Sequence, residues 1–146
     1  MGMYTELVMA AEIKTKDPAV IDILQYMTDN DSYEKPKKLP DHPLFKTSRW
    51  SWMLNGTSEY FSGSPQSKLT VDTLLGTNNP RYFLSVRFNI KNYENEIEKF
   101  LDWLAPYLSV FDEFIGYYRS EEYRYPTLIF CTKGKIHYES CGKEDF

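Results

Sequence analysis

Cysteine and histidine are scarce in this chain. Among its 146 residues there are two cysteines, Cys131 and Cys141, and two histidines, His42 and His137. Two cysteines cannot build the disulfide framework of a small secreted scaffold, and Cys131, His137 and Cys141 lack a zinc-finger spacing. Neither a metal nor a cofactor is therefore expected. A basic surplus is also missing. The 17 Lys and Arg against 21 Asp and Glu leave a formal charge of −4, which excludes the basic face of a free-standing nucleic-acid or anionic-membrane binder. Acids and bases are interleaved, so no one-signed surface mimicking DNA is expected either. The longest apolar runs, such as Leu7–Ala11, fall far short of a membrane span. Met1-Gly2-Met3-Tyr4-Thr5-Glu6 does not read as a signal peptide, and the expected compartment is the cytoplasm. No Gly-rich phosphate loop, G-x-S-x-G elbow or H-E-x-x-H occurs.

Aromatic residues are what the chain has in quantity: 12 Tyr, 9 Phe and 3 Trp, or 16%. With 42% hydrophobic and 26% charged residues, the composition is that of a folded globule, and the length suits one domain, 1–146.

Alternation marks the strands. Thr5–Lys14 places Leu7, Met9, Ala11 and Ile13 on one face. Arg81–Lys91 does the same with Tyr82, Leu84, Val86, Phe88 and Ile90, because successive strand side chains point to opposite faces. A helix signal follows each strand. Asp17-Pro18 is an N-cap acceptor with Pro at the first helical position, and Val20, Ile23, Leu24 and Met27 recur at helical spacing. Asn92 is the second N-cap candidate. Beyond it Ile97, Phe100, Leu101, Leu104 and Leu108 form one stripe, and Pro106 marks the end.

The two segments superpose without a gap when Leu7 is set on Leu84, which carries Val20 onto Ile97, Leu24 onto Leu101 and Met27 onto Leu104. This reads as an internal duplication. In the first half, Ser48–Leu54 and Ser58–Ser62 flank Asn55-Gly56, a strong hairpin signal, and Lys68–Thr73 is a third candidate strand. In the second half, Phe114–Ser120 and Pro126–Thr132 are strands, and Lys133-Gly134 turns the chain into Lys135–Glu139. The expected fold is α+β: an antiparallel sheet with two helices on one face, built from two β-α-β-β(-β) units over about 3–76 and 80–140. The GyrI-like ligand-binding proteins and the vicinal-oxygen-chelate folds are similar in topology alone, so no functional residue is carried over from them.

Three places could carry function. A two-residue turn at Asn55-Gly56 would pair Leu54 with Thr57, Trp52 with Glu59 and Trp50 with Phe61, placing Glu59 among aromatic rings. Such a carboxylate, with its pKa raised by desolvation, suits a general acid or a cation-binding group. The polar–aromatic run Tyr117–Tyr125 is the second place, with Tyr117 and Glu121 facing the same cleft as Glu59, Trp50, Trp52 and Phe61 if the halves are symmetric. Third is the Pro- and charge-rich insertion Asp29–Phe45, a binding loop or a solvated connection. In the last hairpin Cys131 should pair with Ile136 and His137 with Phe130, which sets Cys131 and His137 on opposite faces.

The expected function is that of a small cytoplasmic binding protein for a partner protein or a small apolar or cationic ligand, of the kind encoded by accessory or phage genes. A cofactor-free enzyme using a carboxylate in an aromatic cleft is the first alternative. An immunity or defence-inhibiting protein acting by surface occlusion is the second.

Overall fold

Two strands with matched apolar alternation organise the molecule. β1 (Tyr4–Ile13) and β3 (Arg81–Lys91) pair antiparallel along their whole length, with Leu7 opposite Phe88, Met9 opposite Val86 and Ala11 opposite Leu84. One face of the pair is therefore continuously apolar, and all of these residues except Ala11 are buried. The computed structural model of the chain describes residues 3–63, 65–72 and 80–141. Expectations that fall on Met1, Gly2, Ser64, Thr73 and the tail after Cys141 lie outside the described residues.

The remaining elements are α1 (Pro18–Thr28), β2 (Lys68–Asp72), α2 (Glu96–Leu104), β4 (Asp112–Ser120), β5 (Thr127–Thr132) and β6 (Lys135–Ser140). The strands form one six-stranded sheet in the order β2-β3-β1-β4-β5-β6, every neighbouring pair antiparallel. The first four strands and two helices thus follow the split βαβ, ferredoxin-like, arrangement: each β-α-β crossover leaves room for one strand of the other half. β5 and β6 extend the sheet on the β4 side.

Both helices cover the apolar face. Val20, Ile23, Leu24 and Met27 of α1 and Ile97, Phe100, Leu101 and Leu104 of α2 join Leu7, Met9, Leu84, Val86 and Phe88 in a single core. Asp17 caps α1, its carboxylate accepting from the Ala19 N–H at 3.0 Å, with Pro18 at the first position. α2 begins later than its sequence signal. Asn95 is left-handed at φ 55°, and the helix starts at Glu96. Asn92 still serves the helix, because its Oδ1 accepts from the Ile97 N–H at 3.0 Å.

The hairpin expected around Asn55-Gly56 does not form. Ser48–Ser62 contains turns and a short 3-10 segment, Met53–Asn55, and no strand. Gly56 has φ −68°, so no left-handed residue is needed there. Its small size is needed instead: a Cβ would stand 2.5 Å from Ile90 Cγ2 and 2.7 Å from the Asn89 carbonyl. That close approach lets the Gly56 carbonyl accept from the Asn89 N–H at 3.0 Å. Asn55 turns its side-chain amide to the Met27 carbonyl at the end of α1. The first half is consequently β-α-β, not β-α-β-β.

The segment between α1 and β2 packs over the helices through polar anchors. Glu96, fully buried, receives Arg49, with Nη2 at 2.6 Å from its Oε2, and Arg49 also donates to the Lys91 carbonyl. The Ser48 hydroxyl donates to Glu94, and the Asn30 amide reaches the Tyr26 and Ser51 carbonyls. His42 accepts the Leu44 N–H at Nδ1, so its proton sits on Nε2, 2.9 Å from Asp102. Leu44 and Trp50 are buried, and Phe45 stacks edge-on against Trp50 and Trp103. Within the insertion Asp29–Phe45, the end that carries His42, Leu44 and Phe45 is therefore structural, whereas Asp31–Lys35 stays exposed.

Leu24→Ala or Leu101→Ala, each at a fully buried position, should lower unfolding free energy by about 2–5 kcal/mol in urea titration. Arg49→Met should cost about 3 kcal/mol or more by the same measurement, because it leaves the Glu96 carboxylate buried without its partner.

Candidate functional site

A tyrosine-lined depression lies where β4, β5 and β6 approach the edge of the helix layer. Tyr118 is opposite Leu7, so it points to the helix side of the sheet. Thr127 lies opposite Tyr118 and Ser140 opposite Thr127 on the same side. Tyr138, opposite the fully buried Ile129, also shares this side and meets Tyr118 edge-on at a centroid distance of 5.6 Å. The connection from β4 to β5 brings Tyr123 and Tyr125 to the rim, and the space enclosed is about 390 Å³. Tyr123, Tyr125 and Tyr138 each keep about two-fifths of their surface exposed.

Arg119 lines the depression together with the tyrosines, and the carboxylates of α2 act on its phenols. Burial, then the field of the Glu98 carboxylate on α2, raises the Tyr118 phenol above its ordinary range. Burial, followed by Glu98 and other neighbours including Asp102, raises Tyr138 further. Both phenols therefore keep their protons to higher pH than a free tyrosine does. The rim already holds one cation–ring contact, the Arg124 guanidinium over Tyr125 at 5.8 Å.

The residues singled out in the sequence are dispersed. Trp50 is buried on the helix side against Tyr26 and Phe45, with the Lys35 ammonium 5.7 Å from its ring. Trp52 is 45% exposed. Phe61 is buried on the opposite side of the sheet, under the Arg119 guanidinium at 5.1 Å. Glu59 is exposed, and it shares no hairpin face with the tryptophans because that hairpin is absent. Tyr117 lies opposite Val8 and therefore faces away from the tyrosine depression. Glu121 sits at the start of β1, its N–H bonded to the Tyr4 carbonyl at 2.9 Å and one carboxylate oxygen 3.4 Å from the Tyr4 N–H. The cleft expected to join Glu59, Trp50, Trp52, Phe61, Tyr117 and Glu121 is thus not assembled. Of the run Tyr117–Tyr125, Tyr118, Tyr123 and Tyr125 do converge, together with Tyr138 from β6, which sequence reasoning did not associate with them.

Cys131 lies opposite Ile136, and His137 lies opposite Phe130, as the turn at Lys133-Gly134 requires. Among the described residues, no group of three His, Cys, Asp or Glu lies together so as to hold a metal ion. No helix among them is long and apolar enough to cross a membrane. No protein family, curated protein or solved structure compared with this chain matches it.

The raised phenols give a pH signature. A tyrosine whose folded pKa exceeds its unfolded value holds its proton longer when folded. Its contribution to stability is complete below about pH 10 and is lost as pH rises beyond that. Alkaline difference absorbance should therefore show late-titrating tyrosines, and Tyr138→Phe should remove one of them and reduce the loss of stability above about pH 10.

Proposed function

We propose that this chain is a binding protein whose tyrosine depression takes a cationic group, from a small molecule or from a partner's side chain. The observation that carries this reading is the convergence of Tyr118, Tyr123, Tyr125 and Tyr138 on one space, with two of the phenols in the field of the Glu98 carboxylate. Aromatic faces attract cations through their quadrupoles, and methylated ammonium groups are recognised by cages of several rings. A nearby carboxylate adds attraction without touching the ligand. The concave shape, with polar tips among apolar ring surfaces, is that of a recognition site.

The tetramethylammonium ion and a peptide carrying trimethyl-lysine are suitable probes. Either should shift the amide resonances of Tyr118, Tyr123, Tyr125 and Tyr138 in a saturable titration, beyond the effect of equal sodium chloride. Tyr125→Ala or Tyr138→Ala should weaken binding by roughly tenfold, at the upper end expected for a cation on a ring. Shifts no larger than those from sodium chloride would exclude the reading.

An internal duplication is also part of this reading. It is supported by the matched patterns of the two strand–helix segments and by β2 and β4 flanking the central pair in equivalent positions.

A further inference from the structure

β6 is an outer edge of the sheet. It pairs with β5 in unbroken register and contains neither proline nor bulge, two of the devices that blunt an edge; the charged residues it does carry, Lys135 and Glu139, guard it against unlike edges. Among the described residues, no backbone hydrogen bond outside the regular elements reaches Lys135–Glu139. The turn preceding it determines which groups face outward. Lys133 and Gly134 both have positive φ, 48° and 77°, in a two-residue hairpin connection. In such a connection the flanking residues, Thr132 and Lys135, bond to each other. By alternation, Ile136 and Tyr138 then direct their N–H and C=O groups away from β5.

We infer that this edge pairs with β6 of a second copy of the chain, antiparallel about a twofold axis at His137. A twofold perpendicular to the sheet keeps the two helix-covered faces on one side. Only registers that set a residue opposite one on its own face are then allowed. Centred on His137, the register sets Lys135 opposite Glu139 of the second copy, and Glu139 opposite Lys135 of that copy. Ile136 lies opposite Tyr138 twice, with the outward backbone groups of each pair exchanging both hydrogen bonds. Opposite charges and aromatic–branched pairs are the favourable cross-strand combinations. The next allowed register, centred on Tyr138, leaves Lys135 beyond Ser140 and without that carboxylate. Charge thus selects the occupant and the register: the edge is complementary to itself. An edge of six residues per copy buries less than the roughly 1,000 Å² of a stable interface, so the dimer is weak and depends on concentration.

Sedimentation velocity of the full chain across the micromolar range tests this. The unmodified protein should pass from monomer to dimer. Lys135→Glu and Glu139→Lys should each weaken association by about tenfold or more, since each sets like charges opposite one another twice. An equimolar mixture of these two variants should regain the dimer, because every pair across the axis is then opposite in charge. Ile136→Pro removes an outward N–H without touching a β5 bond and should abolish dimerisation. Its far-ultraviolet circular dichroism checks the fold, and the charge variants decide the matter if it does not fold. A protein monomeric throughout, a dimer that survives both charge reversals, or a mixture no better than its components would overturn the proposal.

Discussion

The antiparallel pairing of β1 with β3 is the constraint on which the other elements rest. It joins two strands whose apolar faces coincide residue by residue, Leu7 with Phe88 and Met9 with Val86. Each strand then accepts its second neighbour from the other half, β4 beside β1 and β2 beside β3. The resulting apolar face is too broad for one helix. α1 and α2 close it together, and their stripes meet in a common core with the strands. Neither half could bury its strand and helix alone, because a lone two-layer unit would leave one side of the strand unpaired and wet.

The segment between α1 and β2 completes this arrangement with polar groups where apolar ones are lacking. Arg49 reaches into the start of α2 and neutralises a carboxylate with no exposed surface. Asn30 and Asn55 satisfy carbonyls at the end of α1, where helix geometry leaves acceptors without intrahelical donors. Beyond this cover, at the β4–β6 corner, the sheet extends past the tightly packed helix layer. There the tyrosines keep part of their ring surface in solvent, which is why we propose recognition at that corner and not in the Trp50 region, where the rings are already packed.

The periodic parts of the chain were legible because local physics dictates them. Alternation located β1 and β3, Asp17-Pro18 located the start of α1, and Lys133-Gly134 set the β5–β6 register. The Asn55-Gly56 dipeptide misled because two properties of glycine look identical in sequence. Positive φ makes a hairpin, whereas here the missing Cβ admits the neighbouring strand. The alternation of Trp50, Trp52 and Leu54 imitated a strand, while the fate of that segment was decided by distant partners: Glu96 for Arg49 and Phe45 for Trp50. The site was only partly legible for a similar reason. The tyrosine-rich run stood out, but a register shift between Phe114 and Gly116 and the placement of Tyr138 settle which rings share a side. Those depend on the sheet as a whole.

The strand order also bears on how the chain reaches its native state. The β5–β6 hairpin closes over a two-residue turn and can form within microseconds. The β1–β3 pair joins Tyr4 to Lys91, and β1–β4 joins Thr5 to Ser120, so the centre of the sheet requires closure of loops spanning most of the chain. The entropy of that closure must be overcome before the core contacts reward it. Of the six strands, β1 is made before the others yet is among the last to find both of its neighbours. Until then its Leu7–Ile13 face depends on α1 alone, and a slow search for β3 and β4 should set the pace of folding.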